Sequence, residues 1–329
     1  MALVHYYVHG RGRGHASRSR AVIDRLRQSG HEVIAFAGAD ARVLLEGYVT
    51  THAVDSVLPD LGLRAPRMVA ARVRQAVAAL RRDGAHVVVS DGDLPGLLAA
   101  RLARRPSVAV GHGLVFRCCE RPPRLPAAPW RREALKAAVS SAGASRLVAV
   151  NFVPLPVVRG RLARPAVPLP ATRRTPEGPL LCYFRDGASA PLQRDLAALS
   201  RDMPVILFAK QPPVVAGIEH ERPSRERFVE VLLRARAVVA SAGSQLISEC
   251  VALGTPLWAG HHPEDDEQAL NVALLREAGL GDGGPLPQAS EAVLRRFLER
   301  PAPAPSTWDA PDVATAVLHE VDDLVGGAR

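Results

Sequence analysis

Short apolar runs alternate with stretches of helical spacing along nearly the whole chain. In the first half the runs are LVHYYVH (3–9), EVIAFAG (32–38), HVVVS (86–90) and SVAVG (107–111). Between them the spacing predicts helices from about Ser17 to Gln28, around Pro66 to Arg82 and around Leu94 to Arg104. Val69, Val73, Val77 and Leu80 mark one face of the second of these helices, and its arginines lie elsewhere on the wheel. Strands that read as continuous apolar runs belong in a parallel sheet covered by helices on both faces.

A proline-rich stretch, ARPAVPLPATRRTPEGP (163–179), then forbids regular helix and favours an extended connector. Beyond it the rhythm restarts with PLLCYF (179–184), PVILFAK (204–210), AVVAS (237–241) and PLWAG (256–260), and with helices over 191–200, 224–236, 244–253 and 265–278. The expected fold class is α/β, two tandem Rossmann-like doubly wound domains facing a cleft at the carboxyl ends of their strands. Residues 1–165 make the first domain, 166–178 the linker and 179–305 the second domain. The tail, 306–329, holds a last helix, Pro311 to Leu324, expected to return to the first domain. A length of 329 residues fits two domains of roughly 150 residues each.

Charge changes this picture in one respect. The net charge is +9, but residues 1–165 carry +15 and the remainder −6. A solvated arginine surface accounts for the excess, and an anionic partner of the first half is the sharper reading. Nucleic acid is excluded as that partner: aromatic residues are 4% of the chain, and no recognition-helix, RRM or OB signature sets them among the basic residues. Four cysteines, with Cys118 next to Cys119 and Cys182 and Cys250 in apolar runs, show neither zinc-ligand spacing nor a disulfide framework. With no signal-peptide pattern and no apolar span of about 20 residues, a cytoplasmic protein is expected, soluble or peripheral to a membrane.

The candidate chemistry begins in HGRGRGHASRS (9–19). A glycine turn between a strand and a helix start leaves backbone amides free for an anion, which makes Gly12 and Gly14 candidate phosphate contacts. A dinucleotide fingerprint would need a third glycine where His15 stands, and the first acidic residue after the second strand, Asp40, lies past a glycine. Nicotinamide and flavin cofactors are therefore not expected. His15 at a strand's carboxyl end, beside a helix dipole that disfavours its protonated form, suits a general base; a capping or solvent-facing histidine is the plainer alternative. VVVSDGDL (87–94) offers Asp91 or Asp93 to orient the imidazole, and we assign that role to Asp91. The DxD spelled by these two residues also suits a divalent ion or a helix cap, and no metal is expected.

In the second half, ASAGSQLISECVALGTPLWAGHHPEDDEQALNVALLREAGLG (240–281) places a small-residue turn, Ser241 to Ser244, between a strand and a helix. Gly243, Ser244 and Gln245 would present amides to a diphosphate, and Glu249 would accept the hydroxyls of a ribose. Glu267 and Gln268 offer an acceptor and a donor for sugar hydroxyls, while Asn271 reads as surface or structural. His261, His262, Asp265 and Asp266 match no standard metal spacing and read as a polar loop into a capped helix.

GRGRGHASRS together with SAGSQLISECVALGTPLWAG and EDDEQALNVALLREAGLG resembles the GT-B glycosyltransferases of the MurG-like and family-28-like kind. The resemblance implies a donor, usually a UDP-sugar, held mainly by the second domain, an acceptor on the first, and metal-independent transfer with inversion at the anomeric carbon. By the same resemblance His15 matches the glycine-flanked histidine, Gly243 and Ser244 the diphosphate loop, Glu249 the ribose-binding glutamate, and Glu267 with Gln268 the donor-sugar pair. Asp186 and Gly187 stand where a second glycine-rich phosphate contact is common, although RDGASA departs from the usual glycine-serine run.

The nucleotide sugar would be a co-substrate, with no cofactor besides. The acceptor is either a small natural product or a lipid-linked molecule. The stretch 112–136, with five arginines, Lys136 and Trp130 around prolines, reads as a lid, as a basic patch for anionic lipid, or as a plain exposed loop. A nucleotide-sugar 2-epimerase and a silent nucleotide-sugar-binding protein are the alternatives.

Overall fold

The computed structural model describes residues 1–10, 13–56, 65–167 and 177–327, the side-chain surroundings at 13, 14 and 40 excepted. Gly12 and most of the 166–178 connector lie outside the described residues. The chain divides into two compact units, one of residues 1–123, 130–166 and 309–329, the other of 124–129 and 167–308.

The first unit holds β1 (Leu3–Val8), β2 (Glu32–Ala37), β3 (Thr51–Ala53), β4 (Val87–Asp91), β5 (Ser107–Gly111), β6 (Arg146–Val150) and β7 (Arg161–Ala163). Its helices are α1 (Arg13–Gln28), α2 (Ala39–Leu45), α3 (Ala65–Asp83), α4 (Leu94–Leu102), α5 (Val115–Cys118) and α6 (Ala127–Ser140), the last begun by three residues of the other unit. The strands pair in parallel in the order β3-β2-β1-β4-β5-β6-β7. Alternation along β1 serves both faces. Val4, Tyr6 and Val8 enter one buried cluster with Val22, Ile23 and Leu26 of α1, and Tyr7 enters another with Val73 and Leu80 of α3.

The second unit repeats the plan with β8 (Leu180–Tyr183), α7 (Ala190–Leu199), β9 (Val205–Phe208), β10 (Glu219–Glu221), α8 (Arg225–Arg234), β11 (Ala237–Ser241), α9 (Ser244–Leu253), β12 (Leu257–His261), α10 (Asp266–Glu277), β13 (Asp282–Pro285) and α11 (Glu291–Leu298). Its parallel order is β10-β9-β8-β11-β12-β13. The chain then closes with α12 (Val313–Gly326), capped by Asp312, which accepts from the Thr315 amide at 2.8 Å. Val313, Val317 and Val321 of α12 join the α1 cluster of the first unit, and buried Glu320 lies 2.9 Å from Arg161.

Two expectations are corrected. The helix after the first strand starts at Arg13 rather than near Ser17, so His15 lies in its first turn. The 112–136 stretch is not an irregular loop, because α5 and most of α6 fall within it. Pro129 sits in the first turn of α6, where a missing N–H breaks no intrahelical bond. Trp130 is a core residue, 5% exposed and packed edge-on to Phe116 at 5.0 Å. All four cysteines are free and buried, and burial pushes the Cys118 thiol up to about 11.

His5, in the middle of β1, is fully buried with Nε2 3.1 Å from Asp83 Oδ2. Burial lowers its imidazole from the usual 6.5 to about 4 against the upward pull of Asp83. Between those values the unfolded chain binds a proton that the native site refuses, so stability falls as pH drops through that window. Urea unfolding at several pH values should show this loss, and His5→Leu, which has no proton to bind, should show a shallower one. Parallel profiles for the two proteins would contradict it.

Candidate functional site

In both sheets the strand order reverses once, between β1 and β4 and between β8 and β11. Crossovers leave these neighbouring strands in opposite directions, which opens a crevice at their carboxyl ends, where ligands of doubly wound folds bind. At the first reversal β4 ends on Asp91, whose carbonyl accepts from the His9 amide at 3.0 Å, while α1 brings His15 to the same edge. His15 Nδ1 and Asp91 Oδ1 are 2.6 Å apart.

Asp91 is fully buried and is gripped from the other side by Arg18, with Nε donating to Oδ2 at 2.8 Å and Nη2 to Oδ1 at 2.5 Å. Burial alone would raise the carboxyl, but the Arg18 guanidinium and then His15 overcome it and hold Asp91 well below the usual carboxylate range. An ionised Asp91 accepts only, so His15 donates to it through Nδ1, which Arg18 Nη2 also approaches at 3.2 Å, and the ring turns Nε2 away from the pair. That nitrogen has no partner among the described residues, and the side chain is 34% exposed. Gly92, at φ +75°, turns the chain off β4 beside this ring; a Cβ there would stand 3.4 Å from His15 Cε1.

Asp93 serves another purpose. It caps α4 by accepting from the Gly96 amide at 2.9 Å, and it pairs with buried Arg72 at 3.0 Å. The two carboxylates of the DxD thus face different partners. Gly10 is also engaged, its amide donating to Ser56 Oγ at 3.1 Å, and Gly14 lies within the first turn of α1.

At the second reversal, β11 runs into α9 through Ala242 and Gly243. Ala242 is fixed from both sides: its amide donates to the Gly260 carbonyl at 2.8 Å, and its carbonyl accepts from fully buried Asn271 at 3.0 Å. Asn271 is structural, one of the two readings of the sequence. Helices α7, α8, α10 and α11 are capped by side chains of Ser189, Ser224, Asp265 and Ser290, but Gly243 gives α9 no side-chain cap. The Gly243 amide itself donates to the Ser241 carbonyl at 2.7 Å, and no Gly243 side chain competes for the first-turn amides of α9.

Glu249, one turn on, is 1% exposed and already bonded: Arg225 Nη1 donates to Oε2 at 3.1 Å and Gln245 Nε2 to Oε1 at 3.1 Å. Arg225 Nη2 is buried without a partner among the described residues. Glu267 and Gln268 are half-buried in the first turn of α10, behind the Asp265 cap. Asp186 is 71% exposed beside Arg185 at 3.4 Å and Lys210 at 3.8 Å, and Gly187 adopts φ +106°, which favours glycine. His261 Nδ1 donates to the His262 carbonyl at 2.9 Å, and among the described residues no three His, Cys, Asp or Glu side chains converge as metal ligands.

The family model described as Glycosyl transferase family 1 matches residues 2–301. The chain belongs to that family. It is a glycosyltransferase with the GT-B fold. No curated protein sequence matches this glycosyltransferase. Among solved structures it is similar to Acinetobacter baumannii MurG, with TM-score 0.68, 17% identity, and 99% of this chain and 100% of that one covered. It is similar to the spinosyn forosaminyltransferase SpnP, with TM-score 0.66, 16% identity and 99% of each chain covered. It is also similar to the Neisseria meningitidis UDP-GlcNAc 2-epimerase bound to UDP-GlcNAc, with TM-score 0.66, 13% identity, and 99% and 100% covered.

Two arginines that hold candidate site residues escape sequence reading. Arg18 follows His15 by three residues, one turn along α1, a spacing that could have revealed it. Arg225 lies 24 residues from Glu249, and no local signal links the two. Replacing Arg18 by Met should leave a buried carboxylate unpaired and cost about 3–5 kcal/mol of stability in urea unfolding. Adding Asp91→Asn to that variant should recover part of the loss. A near-neutral Arg18→Met would show that the pair does not hold the β4 edge.

Proposed function

We propose that the protein transfers a hexose or N-acetylhexosamine from a nucleotide diphosphate donor, UDP-linked, to an acceptor hydroxyl, with inversion and without a metal ion. The observation that carries this reading is the His15–Asp91 pair at the first strand reversal, which engages Nδ1 and leaves Nε2 of a partly exposed ring without a partner among the described residues at a ligand-binding edge. Nε2 takes the proton as the acceptor oxygen bonds to the sugar's anomeric carbon. The bond from that carbon to the diphosphate breaks, and its electron pair leaves with the nucleotide. Asp91 stabilises the imidazolium, as the carboxylate of a catalytic triad does.

The developing charge on the leaving diphosphate falls to the dipole of α9 and to the amides of Ser244 and Gln245, joined by that of Gly243 once it gives up its bond to the Ser241 carbonyl. Asp186 and Gly187 border the same strand reversal, and Gly12 and Gly14 complete the phosphate contacts in this proposal. Glu267 and Gln268 bind the sugar. Glu249 meets the ribose through a hydrogen-bonded set that includes Arg225. The donor class is supported by the UDP-GlcNAc bound to the similar epimerase.

The acceptor is a small natural product or a lipid-linked molecule, and α6 favours a surface role. Leu135 and Val139, 67% and 55% exposed, lie one turn apart on this helix beside Arg131, Arg132 and Lys136. The reading is of a cytoplasmic enzyme, peripheral to the membrane when the acceptor is lipid-linked. No helix among the described residues is long and apolar enough to cross a membrane. Flotation with phosphatidylglycerol vesicles separates the two: binding lost in Leu135→Ser/Val139→Ser supports the lipid-linked acceptor, and no binding supports the soluble one.

A 2-epimerase is the second reading, favoured by the similarity to the Neisseria enzyme. Incubation with UDP-GlcNAc alone discriminates, since an epimerase converts the sugar without an acceptor. For the transferase, His15→Ala should lower turnover by about 10²–10⁴-fold. Its UDP affinity by calorimetry should stay within about twofold, because uniform binding and base catalysis are separate contributions. Wild-type turnover in that variant would remove His15 from the chemistry.

A further inference from the structure

We propose that the first unit carries a second ligand site, a cavity of about 530 Å³ against α3 and the β1–β3 face of the sheet. Its ligand is a planar aromatic molecule bearing an oxygen that accepts a hydrogen bond from Tyr7.

Three rings form a ladder across neighbouring strands. Tyr7 of β1 lies opposite Phe36 of β2, and Phe36 lies opposite His52 of β3. Tyr7 and Phe36 stack at 4.6 Å with 12° between planes, and Phe36 and His52 at 5.2 Å with 29°. β3 is the edge strand and His52 is exposed, so the ladder ends on an open ring face that a further flat ring can extend. Across from it, α3 presents Ala76 and Ala79, whose small side chains leave the space unfilled, while Gln75, Arg72, Arg82 and Asp83 give the wall polar and charged groups.

The polar requirement comes from Tyr7. Its side chain is 1% exposed and lines the cavity, yet its hydroxyl has no hydrogen-bond partner among the described residues. A buried hydroxyl without a partner is unfavourable, and a ligand oxygen would relieve that. Burial also raises the phenol far above its ordinary value, so it is a donor at neutral pH. The site is separate from His15, because Tyr7 points to the α3 side of the sheet while Val4, Tyr6 and Val8 of the same strand point to the α1 side.

Calorimetric titration of the full chain with 2-naphthol, and with its saturated analogue decahydro-2-naphthol, tests this. Saturable one-site binding of 2-naphthol is expected, at least tenfold tighter than that of the saturated alcohol. Tyr7→Phe, which keeps the ring stack, should weaken 2-naphthol about tenfold and leave UDP binding unchanged. Without ligand the same variant should melt no lower than wild type, since it removes an unpaired hydroxyl. His52→Ala should weaken 2-naphthol as well. Absence of saturable binding, equal affinity for the two alcohols, or unchanged affinity in Tyr7→Phe would each overturn the proposal.

Discussion

The reversal of strand order in each parallel sheet is the constraint on which the rest of the molecule depends. Parallel strands cannot be joined by tight turns, so every connection crosses a face of the sheet as a helix or long loop. Where successive crossovers depart to opposite sides, two strand ends are left with no element between them. Those ends are β1 and β4 in one unit and β8 and β11 in the other. Most of the residues with chemical potential stand there: His15 and Asp91 at the first, Asp186, Gly187 and the Gly243–Gln245 turn at the second. The remaining candidates, Glu249, Glu267 and Gln268, stand along α9 or at the start of α10.

The two edges solve opposite electrostatic problems. At the first, a carboxylate with no exposure would be intolerable alone, and Arg18 makes it tolerable by two charge-assisted hydrogen bonds. Its remaining capacity accepts from His15 Nδ1. At the second, a helix begins on glycine without a side-chain acceptor, and Asn271 holds the preceding carbonyl in place. In the proposed reading the first edge holds the proton acceptor and the second faces the negative charge of the diphosphate.

Much of this was legible because apolar runs and turn residues are local signals. The strand SVAVG and the helix from Ser244 to Leu253 lie where the sequence indicates. His15 was legible from its place after a strand, and Asp91 from the end of another, since the sheet is parallel and both ends fall on one edge. Sequence reading failed where long-range pairing decides. Arg18 and Arg225 are single arginines in a chain rich in them, and only the fold shows which carboxylate each one meets. A plain loop was one of three readings of the proline-bearing 112–136 stretch, although proline in a first helical turn costs no hydrogen bond, and no local signal shows Trp130 packed on Phe116. The short edge strands β3, β7, β10 and β13 carry too few residues for a periodic signal.

The account turns on the diphosphate being held by main-chain amides at the start of α9. Amide chemical-shift mapping of the isotope-labelled chain on titration with UDP, in the presence of a chelator, tests that most directly. The largest shifts should fall at Gly243, Ser244 and Gln245, with a further response at Gly187. Saturable UDP binding that leaves those amides unmoved, or that appears only once a divalent metal is supplied, would contradict it.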